Sequence, residues 1–415
     1  MKIGIPPAFR HRRFFWLWLG LLLSITGSQM QLWALFWHVR QLSPNPIAVS
    51  AIGAARFIPI LLFSLLGGVV ADRFSRRKVL FITQSVSMLV AFGLWGLTTA
   101  GHIQLWQIYL LTALQAIAMA FDTPARQSLV PNLVPAQDLP SAFSLQSIAF
   151  NTGSILGPAL SGMVIGYWGQ EYTYLLNAIS FLAVLFALIG IGPIPQRVRG
   201  LRDLRAAWWD MREGIRFIRR QPIILSSMIL DFFATFFSSA NTLLPYVARD
   251  LLHVNEIAYG WLAAAQSIGA VAAGLVFSQL RLVKKQGLLL VSAVLMFGLA
   301  TIFFGLARQF ETVFLALVIV GASDSVSTIL RNTIRQLLTP DDLRGRMTSI
   351  NQMFFMGGPQ LGEVEAGAVA QAFGVPFAIL SGGIGCILAT FAIVRIWPQL
   401  LKYNGDEPVL AAAGK

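Results

Sequence analysis

The chain has 415 residues, of which 56% are hydrophobic and only 12% charged, and its mean hydropathy is +0.68. A soluble protein carries about 25% charged residues to supply its polar shell, so a soluble multidomain protein of this length is excluded. The net charge of +13 comes from Lys and Arg gathered into short clusters between long apolar runs. That is the distribution of a membrane protein and not of a nucleic-acid-binding face. A single cysteine, Cys386, excludes a disulfide framework, and four scattered histidines give no metal-ligand spacing, so neither metal nor other cofactor is expected.

At the N-terminus Arg10, His11, Arg12 and Arg13 precede an apolar stretch, in the manner of a signal peptide. The stretch runs Phe14–Trp37, too long for the apolar region of a signal peptide, and no small-x-small cleavage site follows. It reads as an uncleaved first span. Crossing a hydrocarbon layer of about 30 Å at about 1.5 Å per residue takes roughly 20 residues. On that criterion the first half continues with Ala48–Val70, Val79–Thr99, Ile103–Phe121, Ala142–Ile165 and Tyr172–Ile191. The second half holds Ile223–Val247, Ala258–Leu280, Gly287–Leu306, Thr312–Leu330, Met347–Ala370 and Val375–Trp397. An irregular segment would leave backbone groups unpaired in lipid, so all twelve are expected as helices of an all-α integral membrane protein.

The basic loop at Pro193–Pro222 divides the chain at its midpoint. The expected organisation is a six-helix bundle over residues 1–192, a linker over 193–222, a second bundle over 223–398 and a tail over 399–415. Within the linker Leu201, Leu204, Trp208, Met211, Ile215 and Ile218 recur at helical spacing with arginines between them. This is an amphipathic helix for the inner leaflet, or else a solvated basic linker.

The halves also resemble each other at an offset of about 206 residues. Asp122-Thr-Pro-Ala-Arg126-Gln127 matches Arg331-Asn-Thr-Ile-Arg335-Gln336, Asp138-Leu139 matches Asp342-Leu343, Gly157-Pro158 matches Gly358-Pro359, and Gly68 matches Gly274. Two related bundles are the plan of an alternating-access transporter.

The segment Gly68-Val-Val-Ala-Asp72-Arg73-Phe-Ser75-Arg76-Arg77-Lys78 resembles the major facilitator superfamily signature Gly-xxx-Asp-Arg-x-Gly-Arg-Arg/Lys, with Ser75 in place of the second glycine. Gly153-Ser-Ile-Leu-Gly157-Pro158-Ala-Leu-Ser-Gly162 is similar to the superfamily's exporter-associated motif. The stretches Phe121–Gln127, Asn177–Leu182, Gly357–Gly367 and Ala55–Phe57 resemble the bacterial efflux branch that contains the enterobactin exporter and macrolide-efflux-type proteins. The resemblance implies two pseudo-symmetric six-helix bundles and a monomer in the bacterial inner membrane, exporting a small molecule. In the family an acid ending span 4 completes a charge relay with the signature, and Asp122 holds that place.

Each motif also has a reading from its chemistry. Gly67 and Gly68 permit close helix approach, and Asp72 with Arg76 has the spacing of an i, i+4 ion pair. Gly68, Asp72, Arg73, Arg76, Arg77, Asp122 and Arg126 thus form either a conformational latch or a static topology anchor. Gly153, Gly157, Pro158 and Gly162, with Gly358 and Pro359 in the second half, thin and bend a helix face for packing. Charges within spans cost several kcal/mol unless paired or hydrated, which singles out Asp231, Glu363, Glu365, Asp324 and Arg56 for proton or substrate coupling. Glu363 and Glu365 point about 200° apart on a helix, so one cavity cannot receive both. The alternative for any of these charges is a buried structural pair. Where many proton-coupled relatives carry an arginine in span 4, this chain has Thr112, so coupling must rest on other acids. Trp16, Trp18, Trp33, Trp37, Trp106, Trp168 and Trp397 fall near span ends and are expected at the membrane interfaces. Phe232 and Phe236 line either a cavity or the lipid face, and Gln29, Asn151 and Asn241 are polar candidates for solute contact.

These readings lead to a secondary active antiporter that exports a small amphipathic or hydrophobic molecule, siderophore-like or drug-like, against proton entry. A lipid or lysolipid transporter of the same fold is the second reading. No nucleophile–base set, metal pair or phosphate loop points to an enzyme or an ATP-driven pump. With both termini on one side, 27 of the 31 Lys and Arg fall on that side, which the positive-inside rule makes cytoplasmic. A reporter active only in the cytoplasm, fused after Lys415, is therefore expected to be active, and the same reporter inserted after His102 inactive.

Overall fold

With no water in hydrocarbon to satisfy backbone N–H and C=O groups, long apolar runs must close their hydrogen bonds locally, and here they do so as helices. The computed structural model describes residues 6–192, 204–280, 283–340 and 343–405. Its first-half helices are α1 (Arg12–Leu42), α2 (Pro46–Arg73), α3 (Arg76–Thr99), α4 (Leu105–Leu129), α5 (Leu139–Trp168) and α6 (Gln170–Ile191). After α7 (Leu204–Arg220) come α8 (Pro222–Ser238), α9 (Leu244–Tyr246), α10 (Glu256–Ser278), α11 (Gln286–Leu306), α12 (Phe310–Leu338), α13 (Arg344–Phe373), α14 (Val375–Ile396) and α15 (Gln399–Lys402). Among the described residues there is no strand, and eleven helices are long and apolar enough to cross a membrane. The expected span Met347–Ala370 is not one of the eleven. Its helix, α13, has 30 residues, but Asn351, Gln360, Glu363 and Glu365 lower its apolarity.

Contacts divide the chain into two compact units, each including one short segment from the other half. Unit 1 comprises Met1–Pro44, Ala54–Arg202 and Asn255–Ala264; unit 2 comprises Asn45–Gly53, Asp203–Val254 and Ala265–Lys415. One packing plan recurs in both. In unit 1, α1 packs on α5 and α6, and α3 packs on α4 and α6. In unit 2, α8 packs on α13 and α14, and α11 packs on α12 and α14. The cores follow: Phe14, Leu17, Leu80, Leu129 and Leu188 cluster in the first, and Ile224, Met228, Leu290, Ile334 and Leu400 in the second. A matching pair of glycines turns the chain between the last two helices of each set. Gly169 has φ +106° between α5 and α6, and Gly374 has φ +91° between α13 and α14, a region that side chains disfavour.

The small-residue motifs account for the closest of these contacts. Gly153 and Gly157 face the Ile25–Met30 stretch of α1, whose backbone a Cβ on Gly157 would meet at 3.0 Å (the Thr26 carbonyl). In unit 2, Gly358 and Gly362 face the backbone of Phe232 and Phe236 on α8. Pro158 and Pro359 both lie inside continuous helices. Gly162 has a different task, abutting Gly260 of the α10 segment that belongs to unit 1. In the basic-loop motif it is Gly67 that lies against the Ala120 carbonyl of α4, whereas Gly68 faces open space.

Several expectations require correction. The seventh span is not one helix over Ile223–Val247. α8 ends at Ser238, Asn241–Leu243 form a 3-10 turn, and after α9 a π-turn runs Val247–Leu251. Pro245 falls in the first turn of α9, where its missing N–H needs no partner. The tenth span does not stop at Leu330; α12 runs to Leu338 and buries Arg331 and Arg335, two residues that the topology count placed in a loop. Trp33 and Trp37 are buried with Tyr259 instead of standing at an interface, while Trp16, Trp106 and Trp168 are exposed. In the linker, α7 is helical with Ile218 buried and Arg212, Arg216, Arg219 and Arg220 exposed; residues 193–203 and the side chains of residues 204–211 lie outside the described set.

The glycine contacts give a paired expectation. Gly157→Val should destabilise the purified protein by about 1–3 kcal/mol, because α1 backbone stands in the way. Gly96→Ala, at a helical glycine with nothing within 4 Å, should be neutral or stabilising. Thermal unfolding in detergent distinguishes the two.

Candidate functional site

Charges that enter apolar helices need partners, and each unit gathers its own set. In unit 1 the centre is Asp122 on α4, which is buried. Its carboxylate accepts hydrogen bonds from Gln84 Nε2 at 2.6 Å and Thr83 Oγ1 at 3.2 Å, both on α3, and forms an i, i+4 ion pair with Arg126. These three donors replace the water that burial removes from the carboxylate oxygens.

The remaining basic-loop residues act on helix ends. Arg76 donates to the Ser128 carbonyl at 2.7 Å and to Asn132 Oδ1 at 3.3 Å, near the C-terminus of α4. Arg77 donates through Nε to the Leu188 carbonyl at 2.6 Å, near the end of α6. Cations at carbonyl-rich helix ends offset the macrodipole there. Arg73 is exposed. The Asp72 side chain lies outside the described residues, but α2 ends at Arg73 and α3 begins at Arg76, so the spacing from Asp72 to Arg76 crosses a turn and is not a helical i, i+4 pair.

Asp122 and Arg126 also line a cavity of about 170 Å³ within unit 1. Its polar wall includes Gln29 and Gln31 of α1, Arg56 of α2, Gln84 of α3, and Thr112 and Gln115 of α4. Amides tie α1 to α4 and α6: Asn177 Nδ2 donates to Gln31 Oε1 at 2.7 Å, and Gln31 Nε2 donates to Gln115 Oε1 at 2.6 Å. The apolar wall includes Leu32, Leu35, Ile60, Met119, Phe150 and Phe181. Arg56 and Gln29, named separately from sequence, thus meet in one place. Asn151 stands exposed on α5 and does not line this cavity, although its neighbour Phe150 does.

In unit 2 the centre is a residue that sequence reasoning missed. Arg331 on α12 is 1% exposed and pairs with Asp231 of α8, also 1% exposed, at 2.5 Å. Its other nitrogen lies 3.6 Å from Asp324, whose side chain is 45% exposed, and donates to Thr328 Oγ1 at 2.7 Å. One turn on, Arg335 is bonded to Asn332 at 2.9 Å, to the Arg331 carbonyl at 3.0 Å and to Asn351 of α13. Asp231 and Asp324, predicted independently, therefore share one cation. The internal repeat aligns Arg331 with Asp122, but both fall just past the expected ends of their spans, Phe121 and Leu330, so the sequence carried no sign that Arg331 is buried.

The other acids stand apart from this cluster. Glu363 is buried on α13 against the Asn45–Gly53 segment, where a Cβ on Gly53 would lie 2.7 Å from its Oε2. Glu365 is half-buried. Phe232 and Phe236 stack with ring centroids 6.0 Å apart, Phe354 meets Phe232 edge-on, and Asn241 opens the 3-10 turn after α8.

A buried pair that loses one member leaves an uncompensated charge, at a cost of about 3–5 kcal/mol. Arg331→Met and Asp231→Leu should each destabilise unit 2 by that order, and the double variant should recover most of the loss. A double-mutant cycle from unfolding in detergent measures the coupling.

Comparison with known proteins accords with this architecture. A family model described as transmembrane secretion effector matches residues 5–406. The uncharacterized MFS-type transporter YfiS of Bacillus subtilis (strain 168) is 25% identical over 404 residues, covering 94% of each chain. The enterobactin exporter EntS of Escherichia coli O6:K15:H31 is 24% identical over 372 residues, covering 89% of this chain and 86% of EntS. Among solved structures, an inward-facing bacterial homolog of the human lysosomal transporter Spinster superposes with a TM-score of 0.72 at 15% identity, over 96% of this chain and 99% of its own. A bacterial homologue of the iron transporter ferroportin gives 0.68 at 17% identity, over 92% and 98%. At those identities the structures speak for the fold alone. The family match, covering nearly the whole chain, makes this multi-pass membrane protein a member of the transmembrane secretion effector family of major facilitator superfamily transporters.

Proposed function

We propose that the protein is a secondary exporter that moves a small amphipathic or hydrophobic organic molecule, siderophore-like or drug-like, out of the cytoplasm in exchange for protons. The site of action is the bacterial inner membrane, and the working form a monomer. The observation that carries proton coupling is Arg331, buried between Asp231 and Asp324 among apolar helices. Each member of such a pair depends on the other to offset its burial, so a rearrangement that separates α8 from α12 acts directly on the pair. EntS, similar over most of its length, supports the direction of transport.

The cavity of unit 1 supports an amphipathic cargo over a lipid. A lipid chain calls for a continuous apolar cleft, whereas this cavity sets glutamines, Arg56 and Thr112 opposite its apolar wall. Asp122 with Gln84 and Arg126 is assigned to the conformational latch. Glu365 remains the second acid for proton transfer.

Purified protein in liposomes with an imposed pH gradient should drive uptake of a hydrophobic fluorescent dye at least about tenfold above protein-free vesicles, the rate change that about 1.4 kcal/mol of barrier lowering brings. Asp231→Asn, verified as folded by its elution in detergent, should abolish that movement. Dye movement that persists after the gradient is collapsed contradicts proton exchange, and gradient-independent lipid movement favours a lipid transporter.

A further inference from the structure

α7 carries a cluster of charge for which transport has no use. From residue 212 to residue 220 it holds four arginines and one acid, Glu213. At about 100° per residue, Arg216, Arg219 and Arg220 fall within an arc of roughly 100°. All three are exposed, and among the described residues none of them has an ion pair. Gly214 and Ile218 are buried on the opposite side of the helix, where α7 packs on α8 and α13 and Ile218 enters the unit 2 core. Ile215, which is 41% exposed, borders the arc on one side and Phe217 on the other. Arg212 is exposed too, but it is already engaged within the protein.

The connection to α8 fixes the depth of this face. α7 ends at Arg220, and the membrane-spanning stretch Pro222–Leu251 begins two residues on, with Gln221 alone between them. Gln221 N–H donates to the Ile218 carbonyl at 3.0 Å, and Leu225 N–H donates to the Gln221 carbonyl at 3.0 Å, so the joint is hydrogen-bonded on both sides. Even fully extended, the three residues from Arg220 to Ile223 span at most about 11 Å. The headgroup layer is roughly 5–8 Å deep on each side of the hydrocarbon. Arg216 stands one turn behind Arg220, about 6 Å along the axis, so the three guanidinium groups lie at or beside that layer. A guanidinium pairs with phosphate through two parallel N–H···O bonds, and adjacent cations favour an anionic headgroup over a zwitterionic one.

We propose that the Arg216–Arg219–Arg220 face of α7 is a docking surface for anionic phospholipid headgroups of the leaflet in which α8 begins. The exporter reading is not needed for this, because neither the cargo nor the coupling ion takes part.

The test reads lipid composition beside α7. Ile215→Cys places a thiol next to the face for a coumarin donor, and protein without the new cysteine is treated in parallel as the blank for Cys386. Vesicles of phosphatidylcholine carry traces of a fluorescent acceptor on an acyl chain of either phosphatidylglycerol or phosphatidylcholine, so the two acceptors differ only in headgroup. Energy transfer should show phosphatidylglycerol enriched beside α7 at least about fivefold, the worth of one basic residue at an anionic surface. Replacing the three arginines together (Arg216→Gln, Arg219→Gln, Arg220→Gln) should bring the two acceptors within about twofold of each other, whereas replacing them with lysine should keep the preference. Equal transfer to both acceptors with the arginines intact, or a preference that survives the glutamines, overturns the proposal and leaves the face to solvent. So does a preference lost with lysine as well, because charge then fails to account for it.

Discussion

A charge or an unpaired backbone group inside hydrocarbon has nothing to bond to except the protein itself, and this constraint accounts for most of what the chain does. It turns every apolar run into helix and makes small residues the tool for bringing helices together. It also explains how Arg331 can sit 1% exposed in the tenth span. The carboxylates of Asp231 and Asp324 and the hydroxyl of Thr328 supply the partners that water would otherwise provide, and α12 carries on past it as unbroken helix.

The two units share one packing plan but have diverged in charge at one position. The repeat aligns Asp122 with Arg331 and Arg126 with Arg335. In unit 1 the acid and the base four residues on satisfy each other, and α3 contributes only neutral donors. In unit 2 the same spacing carries two arginines, a repulsive pair on one helix face. That excess of positive charge is balanced from another helix, by Asp231 of α8, and by Asp324 two turns back on α12. The sign change therefore moves the critical contact in unit 2 from within a helix to between helices, where a shift of α8 against α12 would be felt by the pair.

Composition and hydropathy made the helices legible, and the motifs made the family legible, because both depend on local spacing. The breaks were less so. The interruption after Ser238 is marked by no change in hydropathy, while the extension of α12 through Arg331 contradicts hydropathy outright. The candidate site was half visible. Asp231, Asp324, Asp122 and Arg56 stand out as charges within or at the ends of apolar spans, but pairing between helices has no signature in one sequence. Gln84 was invisible for the same reason: a glutamine in an apolar helix becomes informative only when Asp122 is found 2.6 Å away.

Accessibility separates the two charged centres into different roles. The side chains of Asp231 and Arg331 are each 1% exposed, so any solute larger than a proton or a water molecule must wait for the helices to part before it meets them. The Asp122–Arg126 pair borders a cavity, and the Arg126 side chain is 22% exposed, so a bound molecule can reach it with the helices as they stand. On the proposed reading this assigns proton exchange to unit 2 and recognition to unit 1. On the same reading, a transporter arranged in this way can change its cargo by altering the cavity wall while leaving the Asp231–Arg331 pair untouched.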